Sequence, residues 1–171
     1  MSTVPRVAAR TLKEAFALQP DLLDAFWDLY GTVWMDGCVD HATKEVARLR
    51  NARVTDCGYC KRVRFSLARE EGLTEDDAEM VDESFEESGL SARHKDAVRL
   101  ADRFLSLPGP ARRSPAGELS SAEQVELDTA LAMFLGFAKM LITLGLEPES
   151  MPVTVVPTPG SQRSELSVSR T

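Results

Sequence analysis

Three observations predict that this chain folds as an all-α protein. Apolar residues recur at helix spacing along most of its length, and helix caps and stops bracket the recurring segments. Strand-like alternation is absent except at Val153–Val156. With 171 residues, 43% hydrophobic and 27% charged, the chain has the composition of an ordinary soluble globular protein and enough length to bury a core. Residues 1–158 are expected to form one helical domain with an extended C-terminal arm, and 159–171 a disordered tail.

The elements follow in order. Val7 to Leu18 is a short helix stopped near Pro20. Beyond Pro20, Leu22, Leu23, Phe26, Tyr30, Val33 and Trp34 keep helix spacing until Gly37. Cys38 falls in the next loop, where an incidental small residue is the favoured reading over a resolving thiol. Asp40 caps a helix carrying Glu45, Val46, Leu49 and Val54. Thr55 or Asp56 then caps a helix that opens with Cys57-Gly58-Tyr59-Cys60 and ends at Gly72 in a left-handed turn.

Thr74 starts a short helix, and Ser91 a longer one through Leu107 with Ala97, Leu100, Ala101, Phe104 and Leu105 facing inward. Pro108 to Gly117 reads as a loop. Ser120 and Glu123 have capping-box spacing before a long helix to about Leu146. The stretch Ala130–Leu146 is apolar almost all round. It falls short of the roughly 20 residues a bilayer core demands, and Lys139 lies near its middle. A central helix buried by the fold and a neighbouring subunit is the favoured reading, and it predicts a homo-oligomer without a membrane.

Charge narrows the partners. A net charge of −7 gives no general reason to bind a polyanion. Between Lys44 and Arg69 eight basic residues face only Glu45 and Asp56, while Glu70 to Glu87 holds ten acidic residues and no basic one. The basic stretch lies beside that acidic one and has no interleaved aromatics for stacking, so no nucleic-acid partner is expected. It can instead place the cysteines in a positive local field.

The chemistry centres on the cysteine pair. A thiolate is the attacking species, so a working cysteine needs a lowered pKa. At a helix mouth Cys57 would meet the positive end of the dipole, with Lys61 one turn on and Arg64 one turn beyond Cys60. Two sulfurs three positions apart can close into a disulfide. A structural zinc usually takes four Cys or His ligands, and beyond this pair the chain offers only Cys38, His41 and His94, so neither a metal nor a cofactor is expected. No secretory signal is evident after Met1, and C-x-x-C fits a reducing cytoplasm.

The run from Glu45 through Cys57 and Cys60 to Gly72-Leu73-Thr74 resembles the carboxymuconolactone decarboxylase family, and within it the AhpD-like alkylhydroperoxidase branch. Its pattern is a Glu twelve residues before the first Cys, C-x-x-C, a His four after the second Cys, and a Gly-Leu-[Ser/Thr] break. The resemblance implies an AhpD-like helical bundle assembling as trimers or hexamers. It also implies a dithiol that reduces hydroperoxides or disulfides, recharged by a thiol protein or small thiol. Glu45, Cys57 and Cys60 carry over, with Cys60 as the deeper, peroxidatic thiol and Cys57 as the more exposed partner.

Arg64 stands where the family has its His. Guanidinium stays protonated, so Arg64 can stabilise a thiolate but cannot relay protons. Tyr59 could supply a hydroxyl, although packing of its ring is favoured. His41, one turn before Glu45, could face the site but reads better as incidental. A weakened family member acting as a redox sensor or oligomeric binding protein is the alternative. A lyase acting on a carboxylated metabolite stands third.

Overall fold

The computed structural model describes residues 5–106 and 117–161. The expected loop at 108–116 and the tail from 162 onward lie outside the described residues. Eight α-helices, one 3-10 turn and two three-residue strands follow in the order α1 (Leu12–Ala17), α2 (Pro20–Met35), α3 (His41–Val54), α4 (Gly58–Arg62), β1 (Val63–Phe65), α5 (Ser66–Glu70), α6 (Glu75–Glu79), the turn Phe85–Glu87, α7 (Ala92–Leu105), α8 (Ser121–Leu144) and β2 (Thr154–Val156). Among the described residues the protein is all-α apart from that two-stranded ribbon. Caps predicted from sequence are in place: Asp40 accepts from the Thr43 amide, and Ser120 and Glu123 form a reciprocal capping box. Gly72, at φ +98°, makes the expected left-handed stop.

The centre of the fold is α3, not the apolar α8. Every residue from Ala42 to Ala52 is buried, charged ones included, because α3 packs against α7, α8 and α5. Charges taken out of water must be paired, and these are. Lys44 reaches Glu126 of α8 at 2.7 Å and donates to the Trp34 carbonyl, while Arg50 holds Asp102 of α7. The helix α8 runs 24 residues, long enough by length and composition to cross a bilayer, so the sequence argument from shortness is corrected. Here it serves as a wall of the core, burying Leu127, Ala130, Leu131, Phe134, Phe137, Ala138 and Leu141.

The predicted single helix from Cys57 to Gly72 is broken in three. Residues 63–65 are extended, and a side chain of α3 explains why. Arg48 donates to the carbonyls of Cys60 and Val63, acceptors that a continuous helix would give to the amides four residues on. The freed Leu67 amide goes to Thr158 Oγ1. Val63–Phe65 then pairs in parallel with the arm, Val63 opposite Thr154 and Phe65 opposite Val156. Pro159–Ser161, placed in the tail by sequence, form a turn, and Gly160 sits so close to Gly31 of α2 that a Cβ there would collide with backbone.

Candidate functional site

The broken helix sets the cysteines. Asp56 takes a left-handed φ of 54°, which turns the chain out of α3 and into α4. Cys57 is the N-cap residue of α4, its sulfur accepting from the Cys60 amide at 3.2 Å. The two cysteines are at disulfide distance with Cα atoms 5.3 Å apart, as their spacing predicts. Cys57 is fully buried and Cys60 6% exposed, so the expectation that Cys57 is the more exposed sulfur is reversed. The cause is local. Both cysteines belong to a small apolar cluster with Phe16 of α1 and Phe137, Ala138 and Leu141 of α8, but only Cys60 also lines a cavity.

Cys60 lines a cavity of about 20 Å³, room for about one water, together with Tyr30, Arg48, Asn51, Tyr59 and the rings of Phe65, Phe134 and Phe137. Arg48 dominates its electrostatics. Its Nε and Nη2 each donate to the Glu45 carboxylate at 2.7 Å, its Nη1 to the Cys60 carbonyl at 2.8 Å, and its plane lies over the Phe65 ring. Burial pulls its pKa down, but the Glu45 charge and hydrogen bonds more than offset that and hold it above the ordinary arginine value. Burial pushes the Tyr30 hydroxyl up to about 12, with Arg48 pulling partly back, so Tyr30 is a protonated donor at neutral pH. The buried Asn51 Oδ1 has no hydrogen-bond partner.

Glu45 therefore reaches the cysteines through Arg48, which bridges it to the Cys60 carbonyl. Three donors already address its oxygens: Arg48 Nε, Arg48 Nη2 and the Phe65 amide. Arg64 is not on the Cys60 cavity, which corrects the shared-face expectation. Strand geometry turns it away, to pair with Glu75 at 2.6 Å and to donate to the carbonyls of Lys61 and Val63. It lines a separate basic groove with Arg53, Lys61 and Arg62. Lys61 is taken by Asp56. At the mouth of α4, where a positive dipole end was expected to favour a thiolate, the Glu147 carboxylate accepts from the Gly58 amide instead.

His41 stacks on Trp34, with ring centroids 6.4 Å apart, and lies outside the cavity lining. Cys38 is exposed, and its thiol is held above its ordinary pKa by a hydrogen bond to Glu126. Sequence reasoning missed Arg48, Tyr30 and Asn51. Arg48 carried a signal, one turn after Glu45 on the same helix face; Tyr30 and Asn51 were indistinguishable from core and surface.

Fold and site together define a helical dithiol domain whose second cysteine faces a small, mostly apolar chamber. Residues 20–102 match the model of the carboxymuconolactone decarboxylase family. Searches of curated proteins and of solved structures give no match.

Proposed function

We propose that this protein is an AhpD-like dithiol oxidoreductase that reduces hydroperoxides or disulfides through Cys57 and Cys60. The observation that carries the reading is the cysteine pair at disulfide distance with Cys60 alone of the two on the Tyr30–Tyr59 chamber. In the reduced protein the Cys60 thiolate attacks the terminal oxygen of a hydroperoxide. The O–O bond breaks, the sulfur is oxidised to sulfenic acid, and the alkoxide leaves as the alcohol after taking one proton. Tyr30, which lines the same chamber as Cys60, is the hydroxyl that stands in for the missing imidazole as hydrogen-bond donor to the departing oxygen. Cys60 gives its proton to solvent before the attack, while Glu45 holds Arg48, and through it the Cys60 carbonyl, in place. Cys57 then attacks the sulfenic sulfur, the disulfide forms and water departs. A dithiol reductant, protein or small molecule, restores both thiols by exchange.

The test is peroxide consumption by reduced protein, wild type against Cys60→Ser. Loss of consumption in the variant is expected, and equal rates would end the peroxidase reading. The full burial of Cys57 favours a second reading, a redox sensor that oxidises once and recovers slowly. Several turnovers per minute with an added dithiol support the enzyme, and a single turnover supports the sensor. Activity on a carboxylated metabolite that survives loss of both cysteines would point to the lyase reading.

The exposed Leu18, Leu22 and Leu29 of the α1–α2 region and Val125 of α8 support a homo-oligomer, which sedimentation of the whole chain would reveal. A cytoplasmic location belongs to the same proposal.

A further inference from the structure

We propose that the Tyr59 ring is a size filter, admitting only a small head group to the Cys60 sulfur from a larger outer cleft. This rests on the assignment of Cys60 as the attacked sulfur. Tyr59 sits between the two cysteines on α4, half-buried, and packs against both hydrophobic clusters of the molecule, the main core and the smaller one around Cys57. It lines two cavities. On its inner side is the chamber of about 20 Å³ that Cys60 shares. On its outer side is a cleft of about 380 Å³ between the segment before α1 and the chain that follows α8, walled by Leu12, Leu141, Leu146 and Met151 and rimmed by Arg10 and Glu149. Cys57 lines neither.

The partition is continuous on the α8 side. Phe137 lines the inner chamber and Leu141, one turn later on the same buried face, lines the outer cleft. Tyr59 is the residue common to the two linings. Inside, the Asn51 Oδ1 is a buried acceptor without a donor, and Tyr30 is a donor held protonated. A group carrying one O–H and one acceptor oxygen would satisfy both, and a chamber of this size leaves the bulk of a larger molecule outside. Outside, aliphatic walls can hold the remainder of an organic molecule. The residue between the cysteines therefore decides how much of a substrate reaches the sulfur, independently of any proton chemistry.

The test reads access alone, so it stands whether or not the protein turns over peroxide. In a Cys38→Ser, Cys57→Ser background, Cys60 is the sole thiol. Its alkylation rates by iodoacetamide and by a fluorescein maleimide are compared. With Tyr59 intact, the small reagent should react at least tenfold faster, relative to the ratio both show with free cysteine. Tyr59→Phe should preserve that discrimination, and Tyr59→Ala should abolish it. Tyr59→Leu, a packing-conservative second variant, should give an intermediate ratio. An unchanged ratio in Tyr59→Ala overturns the filter, and so does a ratio lost equally in Tyr59→Phe, which would assign the effect to the hydroxyl.

Discussion

Arg48 grips Glu45 through two hydrogen bonds of 2.7 Å on one turn of α3, and both side chains are buried. The same guanidinium holds open the break between α4 and β1. Removing it leaves a carboxylate without its counter-charge in the core and the Cys60 carbonyl short of a donor, while the Val63 carbonyl keeps only Arg64. Arg48→Met should cost about 3–5 kcal/mol of stability by urea unfolding, and adding Glu45→Gln should recover part of it. No recovery in the double variant would show that the pair is not the seat of the loss.

Arg64 points elsewhere, and that yields a sharper expectation than its sequence position did. Since its guanidinium is engaged by Glu75 on the groove side, an imidazole there would not meet Cys60. Arg64→His should leave the peroxide reduction rate unchanged. A large gain would mean that the strand at 63–65 yields during the reaction.

A carboxylate sits where a thiolate would want a positive charge. Glu147 accepts from the Gly58 amide beside the Cys57 sulfur, so it opposes ionisation of Cys57 in the reduced protein. Glu147→Gln should lower the pH midpoint of Cys57 alkylation and raise its rate at pH 7 by roughly two- to fivefold. Mass spectrometry separates this thiol from the other two.

Lys44 and Glu126 form the second buried bridge from α3, at 2.7 Å. Glu126→Ala should cost about 3–5 kcal/mol because Lys44 is stranded, whereas joint replacement by Met and Leu should be far milder. Loss of Glu126 also removes the hydrogen bond that holds the Cys38 thiol protonated. Cys38 should therefore alkylate faster in the double variant, with wild type as reference.

The capping box predicts an acid limb. The Ser120 amide, then Arg93, hold the Glu123 carboxyl down at about 2. A carboxylate depressed in the fold contributes stability above its unfolded pKa, and that contribution is lost as pH falls from the ordinary 4.5 towards 2. Glu123→Gln should flatten the decline of melting temperature between pH 4.5 and pH 2, and an identical decline would remove Glu123 from the account.

The sequence made the caps legible, because Asp40, Ser120 and Gly72 act through bonds within three or four residues. It also made the cysteine spacing and Glu45 legible through the family pattern. What it hid is long-range. Nothing near Val63 announces a strand, since the break depends on Arg48 fifteen residues upstream and on the arm ninety-one residues downstream. A helix continued through 63–65 puts Arg64 on the cysteine face, whereas the strand turns it to Glu75. The centrality of α3 was hidden for a related reason: its charged residues look solvent-facing until Glu126 and Asp102 supply their partners.

The ribbon between Val63–Phe65 and Thr154–Val156 couples the far end of the chain to the reactive loop. A proteolytic nick after Ser150 would loosen that ribbon and release the Leu67 amide, leaving Arg48 alone to hold residues 63–65 out of the helix beside Cys60. Reactivity at the dithiol would thus report on the integrity of a segment that carries no chemistry of its own.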